Sequence, residues 1–221
     1  MTVVGVVPAA GRATRLQPLP CSKEMVDVGG RPVIEYVVER MRAVGPEEIR
    51  VVTRPDKEDV AAHAHLLGAT VILAEPATAA ESFAIGIDDL APDDTVLLGF
   101  PDTVWQPPDG FPQLVHALDA AEVALGVFES DEPERSDVVT LEGDRVSSVD
   151  VKPEDPDTNL IWGCAAARVS ALASLARHEE LGHLFAELAG KGHVRAVPFP
   201  GTMVDIGTNA ALSRARALLG A

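Results

Sequence analysis

Cysteine, aromatic residues and cations are scarce in this sequence, and each scarcity excludes a class of protein. The two cysteines, Cys21 and Cys164, are too few for a disulfide scaffold and favour a reducing compartment, so we expect a cytoplasmic protein. The 18 Lys and Arg residues are outnumbered by 34 Asp and Glu residues, and the net charge of −16 argues against nucleic acid as a partner. To bind an anion, such a chain must concentrate its few cations, together with a divalent metal, at one place.

Long apolar runs are missing as well. No segment reaches membrane-spanning length, and the first residues lack the basic start and cleavage pattern of a signal peptide, so we expect no membrane partner. No hexapeptide-like repeat is found either. The 221 residues, 47% of them hydrophobic, suffice for one sizeable core, which predicts a single domain over residues 1–221.

Strand-like and helix-like segments alternate through the first half of the chain. The first strand, residues 2–7, is β-branched and apolar on both faces, as expected of a buried parallel strand. Apolar residues at helical spacing, bounded by Pro, Asp or Gly, predict helices between short strands. These strands are predicted at 49–53, 70–74 and 95–99, and the helices at 32–44, 56–67, 78–90 and 111–121. Such alternation implies right-handed crossovers and a mostly parallel sheet.

The second half adds antiparallel strands. Three short strand-like runs are predicted at 122–129, 137–141 and 145–152, with a hairpin turn at Glu142-Gly143-Asp144. A helix over 171–189, a strand over 194–198 and a helix over 208–219 complete the pattern. The expected fold class is α/β, a Rossmann-like three-layer α/β/α sandwich around a mixed, mostly parallel central sheet.

The turn after the first strand has the composition of a phosphate-binding loop. Ala9-Ala10-Gly11 carries small side chains that let backbone amides approach a polyanion, and Arg15 and Lys23 can add direct charge. The alternative is an ordinary turn with two solvated surface cations. The loop matches neither the P-loop nor the dinucleotide-binding fingerprint.

The segment PAAGRATRLQPLPCSKEM resembles the signature of the sugar-1-phosphate nucleotidyltransferases, in which an apolar strand is followed by A-[AG]-G-x-G-T-R-L, a spacer and a lysine. The resemblance implies a single nucleotidyltransferase catalytic domain with Arg15 and Lys23 as catalytic cations. It also implies a nucleotide-binding loop made of Ala9, Ala10, Gly11, Arg12, Ala13 and Thr14. Ala13 replaces the second glycine of the motif, which narrows the room for the triphosphate.

Two aspartates follow apolar segments that resemble metal-binding segments of the same family. Asp102 ends the run Val96-Leu97-Leu98-Gly99-Phe100-Pro101-Asp102, and Asp205 lies in Met203-Val204-Asp205-Ile206-Gly207-Thr208. The resemblance implies that both carboxylates hold Mg²⁺, an ion that takes one or two protein carboxylates and completes its shell with phosphates and waters. The alternative for each is local: Asp102 starts a turn, and the second segment leads into a helix capped by Thr208.

A third segment resembles the sugar-phosphate site of the family. Lys152-Pro153 and the stretch from Asn159 to Gly163 match it, which implies that Lys152 contacts the sugar phosphate and that Asn159, Trp162 and Gly163 line the sugar pocket. Lys152 in water and Trp162 in ordinary packing are the alternatives. Val151 replaces the glutamate that holds sugar hydroxyls in relatives, so the sugar is expected to be modified unless Asp150 or Glu154 takes over.

The reaction that the resemblance implies is in-line attack by a phosphate oxygen of the sugar 1-phosphate on the α-phosphorus of a nucleoside triphosphate, with release of pyrophosphate. Arg15 would contact the triphosphate and the leaving pyrophosphate, Lys23 the α-phosphate and the attacking group, and Lys152 the acceptor phosphate. The partners are therefore a nucleoside triphosphate and a phosphorylated sugar or alcohol. Positioning and charge neutralisation carry such catalysis.

The base is indicated by two conflicting features. Glu75 stands where relatives carry the glutamine that reads uracil or thymine, and an ionised carboxylate, which only accepts hydrogen bonds, suits guanine or cytosine instead. Its alternative is a surface glutamate, with the base read by backbone amides near Ala10 and Ala80. Ser22-Lys23-Glu24-Met25 resembles the equivalent segment of glucose-1-phosphate thymidylyltransferases. We predict dTTP as the first choice, with guanylyl or cytidylyl transfer as the alternative.

Two further functions stay open. A transferase acting on a modified sugar phosphate, or on a non-sugar phosphorylated alcohol, would share every phosphate-binding residue and explain Val151. A non-catalytic nucleotide-binding relative would be expected to have lost a loop cation or a metal carboxylate, and this chain retains them all. Because relatives are often oligomers, the resemblance also implies a homo-oligomer.

Overall fold

A computed structural model describes residues 2–12, 16 and 18–219 of the chain. Its six helices within that part are α1 Ile34–Arg42, α2 Glu58–Leu66, α3 Ala79–Ile87, α4 Gly110–Ala117, α5 Leu181–Gly190 and α6 Asn209–Leu218. The strands there are β1 Val3–Pro8, β2 Asp27–Val28, β3 Arg31–Pro32, β4 Glu48–Thr53, β5 Thr70–Leu73, β6 Thr95–Gly99, β7 Thr103–Trp105, β8 Val123–Glu129, β9 Val138–Glu142, β10 Arg145–Asp150, β11 Leu160–Arg168, β12 Val194–Pro198 and β13 Met203–Asp205.

Nine of these strands form one sheet in the order β5-β4-β1-β6-β11-β8-β12-β10-β9. The strands β5, β4, β1 and β6 are parallel, and so is the pair β8 and β12. β11 is antiparallel to β6 and β8, and β10 is antiparallel to β9 and β12. The pairing of Ile161 in β11 with Val138 in β9 closes the last five strands into a ring.

Apolar residues cover the sheet on both sides because successive side chains of a strand point to opposite faces. In β1, Val6 packs in a cluster with Phe83 of α3, whereas Val7 packs in another cluster with Val37 of α1. Both valines are fully buried, as the β-branched run predicted. Because β5, β4, β1 and β6 are parallel, their carboxyl ends lie at the same edge of the sheet. The chain leaves β6 at that edge and enters the cleft described below.

The mixed α/β sheet is confirmed, but parallel pairings are not in the majority, and the sequence did not predict the five-strand ring. The main reason is β11, a central strand that the sequence reading missed. Its residues Cys164, Ala165, Ala166 and Ala167 have no β-branch, and they form a strand because burial between β6 and β8 overrides their local preference. The three-layer sandwich stays a prediction.

The helix predicted over 171–189 is wrong in its first part. Two short 3₁₀ turns, Val169–Leu172 and Leu175–Arg177, come before α5, which begins only at Leu181. Their buried residues Leu172 and Leu175 are spaced as in an α-helix, and one turn of apolar spacing does not distinguish the two helix types. The hairpin turn is confirmed, with Gly143 at φ +69° between β9 and β10.

None of the helices in the described residues is both long enough and apolar enough to cross a lipid bilayer.

Candidate active site

A cleft of about 890 Å³ opens beside the end of β6 and brings together predicted site residues from several segments of the chain. Strands β6, β7, β11 and β13 and the 3₁₀ turn Lys23–Met25 supply or lead to its walls. Six of the predicted site residues line it: Lys23, Asp102, Lys152, Trp162, Gly163 and Asp205. Residues separated by up to 182 positions in sequence thus share one concave surface.

Backbone pairing brings the two aspartates together. Asp102 precedes β7, and β7 pairs with β13 so that Thr103 lies opposite Asp205. The N–H of Ile206 also donates to the Asp102 carbonyl, with an N–O distance of 2.9 Å. A two-stranded ladder is a rigid way to hold two carboxylates at neighbouring positions, which is what the sequence motifs predicted for them.

The ammonium of Lys23 lies between these carboxylates. It forms an ion pair with Asp102, and its Nζ is 3.9 Å from Oδ1 of Asp205. Burial acts to lower the pKa of Lys23, but the attraction of Asp102 and Asp205 outweighs it and raises the pKa above its ordinary value. Lys23 is therefore a fixed cation at neutral pH.

The same carboxylates form a donor set that fits Mg²⁺. In the described residues no group of three or more His, Cys, Asp or Glu side chains could hold a metal alone. Magnesium does not need one, since it binds through one or two carboxylates and takes its other ligands from phosphates and water. Both Asp102 and Asp205 lie near the Lys23 ammonium, so their carboxylates face the same part of the cleft.

A buried ion pair supports the loop from below. Glu24, next to Lys23, is 3% exposed, and its Oε1 lies 2.7 Å from Nζ of Lys57. The same ammonium donates to the carbonyl of Ala9 at 2.9 Å. Burial raises the pKa of Glu24 although Lys57 acts to lower it. The pair ties the turn carrying Lys23 to the end of β1.

Replacing Lys57 with methionine is expected to destabilise the protein by about 3 kcal/mol at neutral pH, because it leaves the Glu24 carboxylate buried without a counterion. Chemical denaturation monitored by circular dichroism measures this change. The double variant Glu24→Gln with Lys57→Met should recover most of the loss, since it buries no charge. Equal stability of the single and double variants would contradict this role for the pair.

Lys152 reaches the other end of the cleft from an unusual backbone position. Its φ is +43°, the only positive value for a non-glycine residue in the described part of the chain. Its ammonium pairs with Glu180, just before α5, and both side chains line the cleft. A residue held in the left-handed region is often part of a functional site, so this geometry accords with the predicted role of Lys152.

Trp162 and Gly163 form the wall of the cleft beside Lys152. The register of β11 against β8 shifts between Trp162 and Cys164, which places a bulge at Gly163. A Cβ at Gly163 would lie 1.9 Å from Sδ of Met203, so any larger residue there would have to displace the Met203 side chain. The Trp162 indole packs against Phe100 and Phe185 and is 7% exposed. Wall and packing roles therefore coincide in this residue.

Other predicted site residues lie outside the lining of the cleft. Glu75 is exposed and its Oε2 accepts from Nη2 of the buried Arg54 at 3.0 Å. Asn159 is exposed, Ala80 is buried in α3, and Val151 is half-buried. Their assignments to base and sugar stay predictions.

The phosphate loop is described only in part. The N–H of Ala9 donates to the carbonyl of Val52, so it is already engaged in the sheet, while Ala10 is buried and Gly11 and Arg12 are exposed. A Cβ at Gly11 would meet no atom of the described residues within 4 Å. Three predicted residues, Ala13, Thr14 and Arg15, lie outside the described residues, and their roles stay predictions.

Asp137 is a cleft residue that the sequence reading missed as a site residue. It directly precedes β9, is 8% exposed, and its Oδ2 accepts from Nε1 of Trp162 at 3.2 Å. The available signal was an acidic residue immediately before an apolar strand. That pattern also fits an ordinary strand start, so it did not single Asp137 out.

Known proteins share the fold that carries this site. The family model described as MobA-like NTP transferase domain matches residues 5–195. A solved Bacillus anthracis protein, provisionally described as a glucose-1-phosphate thymidylyltransferase in complex with a sucrose, is similar with a TM-score of 0.87 and 19% identity, over 98% of this chain and 94% of that one. A UDP-glucose pyrophosphorylase from Acinetobacter baumanii is similar with a TM-score of 0.82 and 20% identity, over 98% and 92%. The TM-scores show that the three proteins share a fold, although few of their residues are identical.

Proposed function

Because this chain belongs to the MobA-like NTP transferase domain family, we propose that it transfers a nucleotidyl group from a nucleoside triphosphate to a sugar 1-phosphate and releases pyrophosphate. The observation that carries the proposal is the meeting of Lys23, Asp102 and Asp205 at one point of a cleft that also holds Lys152. Two carboxylates and two lysines in one cleft can organise two phosphate groups for reaction.

The proposed reaction needs no covalent intermediate. A phosphate oxygen of the acceptor forms a bond to the α-phosphorus, the bond from that phosphorus to the bridging oxygen of the β-phosphate breaks, and pyrophosphate leaves with the electron pair. Lys23 neutralises charge on the α-phosphate, and Lys152 holds the acceptor phosphate. Asp102 and Asp205 would hold Mg²⁺, which would supply further neutralisation of the reacting phosphates. The cation Arg15 would contact the leaving pyrophosphate.

The acceptor end is assigned to the part of the cleft around Lys152, Trp162 and Gly163. An aromatic wall, a cation and a bulged glycine strand are suited to a phosphorylated sugar ring, since the ring presents both apolar faces and hydroxyl groups. One solved protein with this fold is described as being in complex with a sucrose, and the other as a UDP-glucose pyrophosphorylase. Both descriptions support a sugar as the acceptor here.

For the base we propose dTTP first. The Ser22-Lys23-Glu24-Met25 segment resembles that of glucose-1-phosphate thymidylyltransferases, and a similar fold carries that description. Guanylyl or cytidylyl transfer is the second candidate, and Glu75 favours it because a carboxylate can only accept hydrogen bonds. Glu75 is paired with Arg54, whose guanidinium is a hydrogen-bond donor. The two side chains together therefore offer a base both a donor and an acceptor.

Replacing Glu75 with glutamine is expected to raise the ratio of kcat/KM for dTTP over GTP about tenfold, because an amide both donates to and accepts from the thymine imide. Asp56→Asn is the matched control, since Asp56 binds the same guanidinium, with Oδ1 3.1 Å from Nε of Arg54. Kinetics with the two triphosphates measure both variants. If Asp56→Asn changed the ratio as much as Glu75→Gln, Glu75 would not be reading the base.

A non-sugar phosphorylated alcohol is the second candidate acceptor, and Val151 favours it. Val151 has no polar group for a sugar hydroxyl, and its Cγ2 would lie 2.8 Å from a Cβ at Gly182, so it packs against the start of α5. The phosphate-binding residues serve either acceptor equally. A purely binding role is the least supported, because the lysine and both carboxylates of the predicted site are brought together.

A pyrophosphate-release assay over a matrix of triphosphates and acceptors, with Mg²⁺, tests the proposal. The triphosphates are dTTP, UTP, GTP and CTP, and the acceptors are hexose 1-phosphates, phosphocholine and polyol phosphates. We expect release only when a triphosphate and a hexose 1-phosphate are both present. Release with phosphocholine or a polyol phosphate, but with none of the hexose 1-phosphates, would show that the acceptor is a non-sugar phosphorylated alcohol. No release with any pair would favour a binding protein.

A further inference from the structure

Asp137 is a buried carboxyl group that the proposed mechanism does not use. It lies at the start of β9, in the wall of the cleft that also contains Lys152, Trp162 and Gly163. Only 8% of the residue is exposed, which is rare for an aspartate without a full set of partners. Burial of a polar group without a hydrogen-bond partner lowers the stability of the folded state, so its presence here calls for an explanation.

The two carboxyl oxygens of Asp137 differ in their surroundings. Oδ2 accepts a hydrogen bond from Nε1 of Trp162 at 3.2 Å. Oδ1 is buried and has no hydrogen-bond partner among the described residues. The indole holds the carboxyl plane in place from one side, and one acceptor is left over. Such an acceptor is ready for a donor that arrives with a ligand.

Neighbouring residues pack closely around the Asp137 carboxyl group. A Cβ at Gly182 would lie 2.4 Å from Oδ2 of Asp137, so the start of α5 packs directly against the carboxyl group. Lys152, whose charge acts on Asp137, is already paired with Glu180. Among the described residues Asp137 forms no ion pair, and its Oδ1 has no hydrogen-bond partner, so this oxygen can accept from a ligand hydroxyl.

We propose that Asp137 reads a hydroxyl group of the acceptor sugar, accepting a hydrogen bond from it at Oδ1. The inference rests on the proposed function, since it places the sugar ring against Trp162 with its phosphate toward Lys152. It also accounts for Val151, because a hydroxyl-reading carboxylate at 137 leaves position 151 free to be apolar. Asp137 is thus a specificity-determining residue rather than one that acts on the reacting phosphates.

Hydroxyl removal from the substrate is the direct test. The best hexose 1-phosphate for the wild-type enzyme is chosen from the matrix above, and its 2-, 3-, 4- and 6-deoxy analogues are compared in the wild type and in Asp137→Ala. Wild type should lose about 10- to 100-fold in kcat/KM with the analogue that lacks the hydroxyl read by Asp137. In Asp137→Ala the parent sugar should lose about the same factor, and the penalty for that one analogue should disappear.

Asp150→Asn is the matched control, because Asp150 is an exposed aspartate of β10 that pairs with Val138, next to Asp137, and does not line the cleft. We expect it to leave every deoxy penalty within about twofold of wild type. Unchanged penalties in Asp137→Ala, or a rise in KM for the triphosphate equal to that for the sugar phosphate, would overturn the inference while leaving the proposed function intact. No turnover of any hexose 1-phosphate by the wild type would overturn both.

A stability measurement separates this role from a structural one. Burial raises the pKa of Asp137, with Glu180 acting in the same direction and Trp162, Lys152 and His183 against it. Because the pKa of Asp137 is higher in the folded protein than in the unfolded chain, ionisation of this carboxyl group destabilises the folded state. Asp137→Asn should therefore have a higher melting temperature than wild type at pH 7. The difference should shrink as the pH falls toward 3.8, the ordinary value for aspartate. A lower melting temperature at pH 7 would mean that Asp137 stabilises the fold and would overturn the inference.

Discussion

Replacing Lys23 with alanine should lower kcat about 1,000-fold, since a positioned cation on transferring phosphates contributes at least this much. The variant should still fold, because Lys23 is an ion-pair partner of the site and not part of either large core cluster. The raised pKa of Lys23 means that the wild-type cation is retained across the neutral range. Steady-state pyrophosphate release measures kcat, and far-UV circular dichroism checks the fold.

Lys191→Ala is the control for this prediction, because Lys191 is an exposed lysine after α5 and does not line the cleft. It should keep wild-type turnover. Near-normal turnover in Lys23→Ala would show that the ammonium between Asp102 and Asp205 is only a structural cation. The proposed mechanism would then lose its central group.

Replacing Asp102 with asparagine should lower turnover about 100- to 1,000-fold at low millimolar Mg²⁺, because the proposed metal site loses one of its two carboxylates. Part of the loss should be recovered as the Mg²⁺ concentration is raised, since an amide oxygen is a weaker ligand but still a ligand. Titration of turnover against Mg²⁺ measures the effect. The same titration for Asp205→Asn should show the same direction.

Asp131→Asn is the matched control for Asp102, since Asp131 is an exposed aspartate that lines the same cleft. Its Mg²⁺ dependence should equal that of the wild type. If Asp102→Asn kept the wild-type Mg²⁺ dependence, the metal would not be held by this carboxylate. If Asp131→Asn shifted it equally, the effect would reflect the general negative charge of the cleft.

Sequence alone predicts the position of a site residue when its motif directly follows a recognisable strand. Asp102 follows an apolar strand, and the ends of neighbouring strands meet at one edge of a sheet, so its place was predictable. The meeting of Asp102 with Asp205 depends on the β7 and β13 ladder, which is three residues long on each strand and has no clear sequence signal. The sequence resemblance supplied that pairing before the geometry did.

The parts that were not predictable depend on tertiary burial. β11 carries four consecutive small residues that local propensity does not assign to a strand, and this strand holds both Trp162 and Gly163 in the cleft. Asp137 could not be distinguished from an exposed strand-start aspartate until the start of α5 was seen to close over it. The Arg54 partner of Glu75 is likewise 21 residues away in sequence and on a different strand end.

The most direct test of nucleotidyl transfer is product stoichiometry. The protein is incubated with Mg²⁺, a nucleoside triphosphate and a hexose 1-phosphate chosen from the matrix, and the products are quantified by mass spectrometry and ³¹P NMR. We predict one nucleoside-diphosphate sugar for each pyrophosphate released, and re-formation of the triphosphate and the sugar 1-phosphate when excess pyrophosphate is added. Formation of a nucleoside monophosphate without any nucleoside-diphosphate sugar would contradict the account.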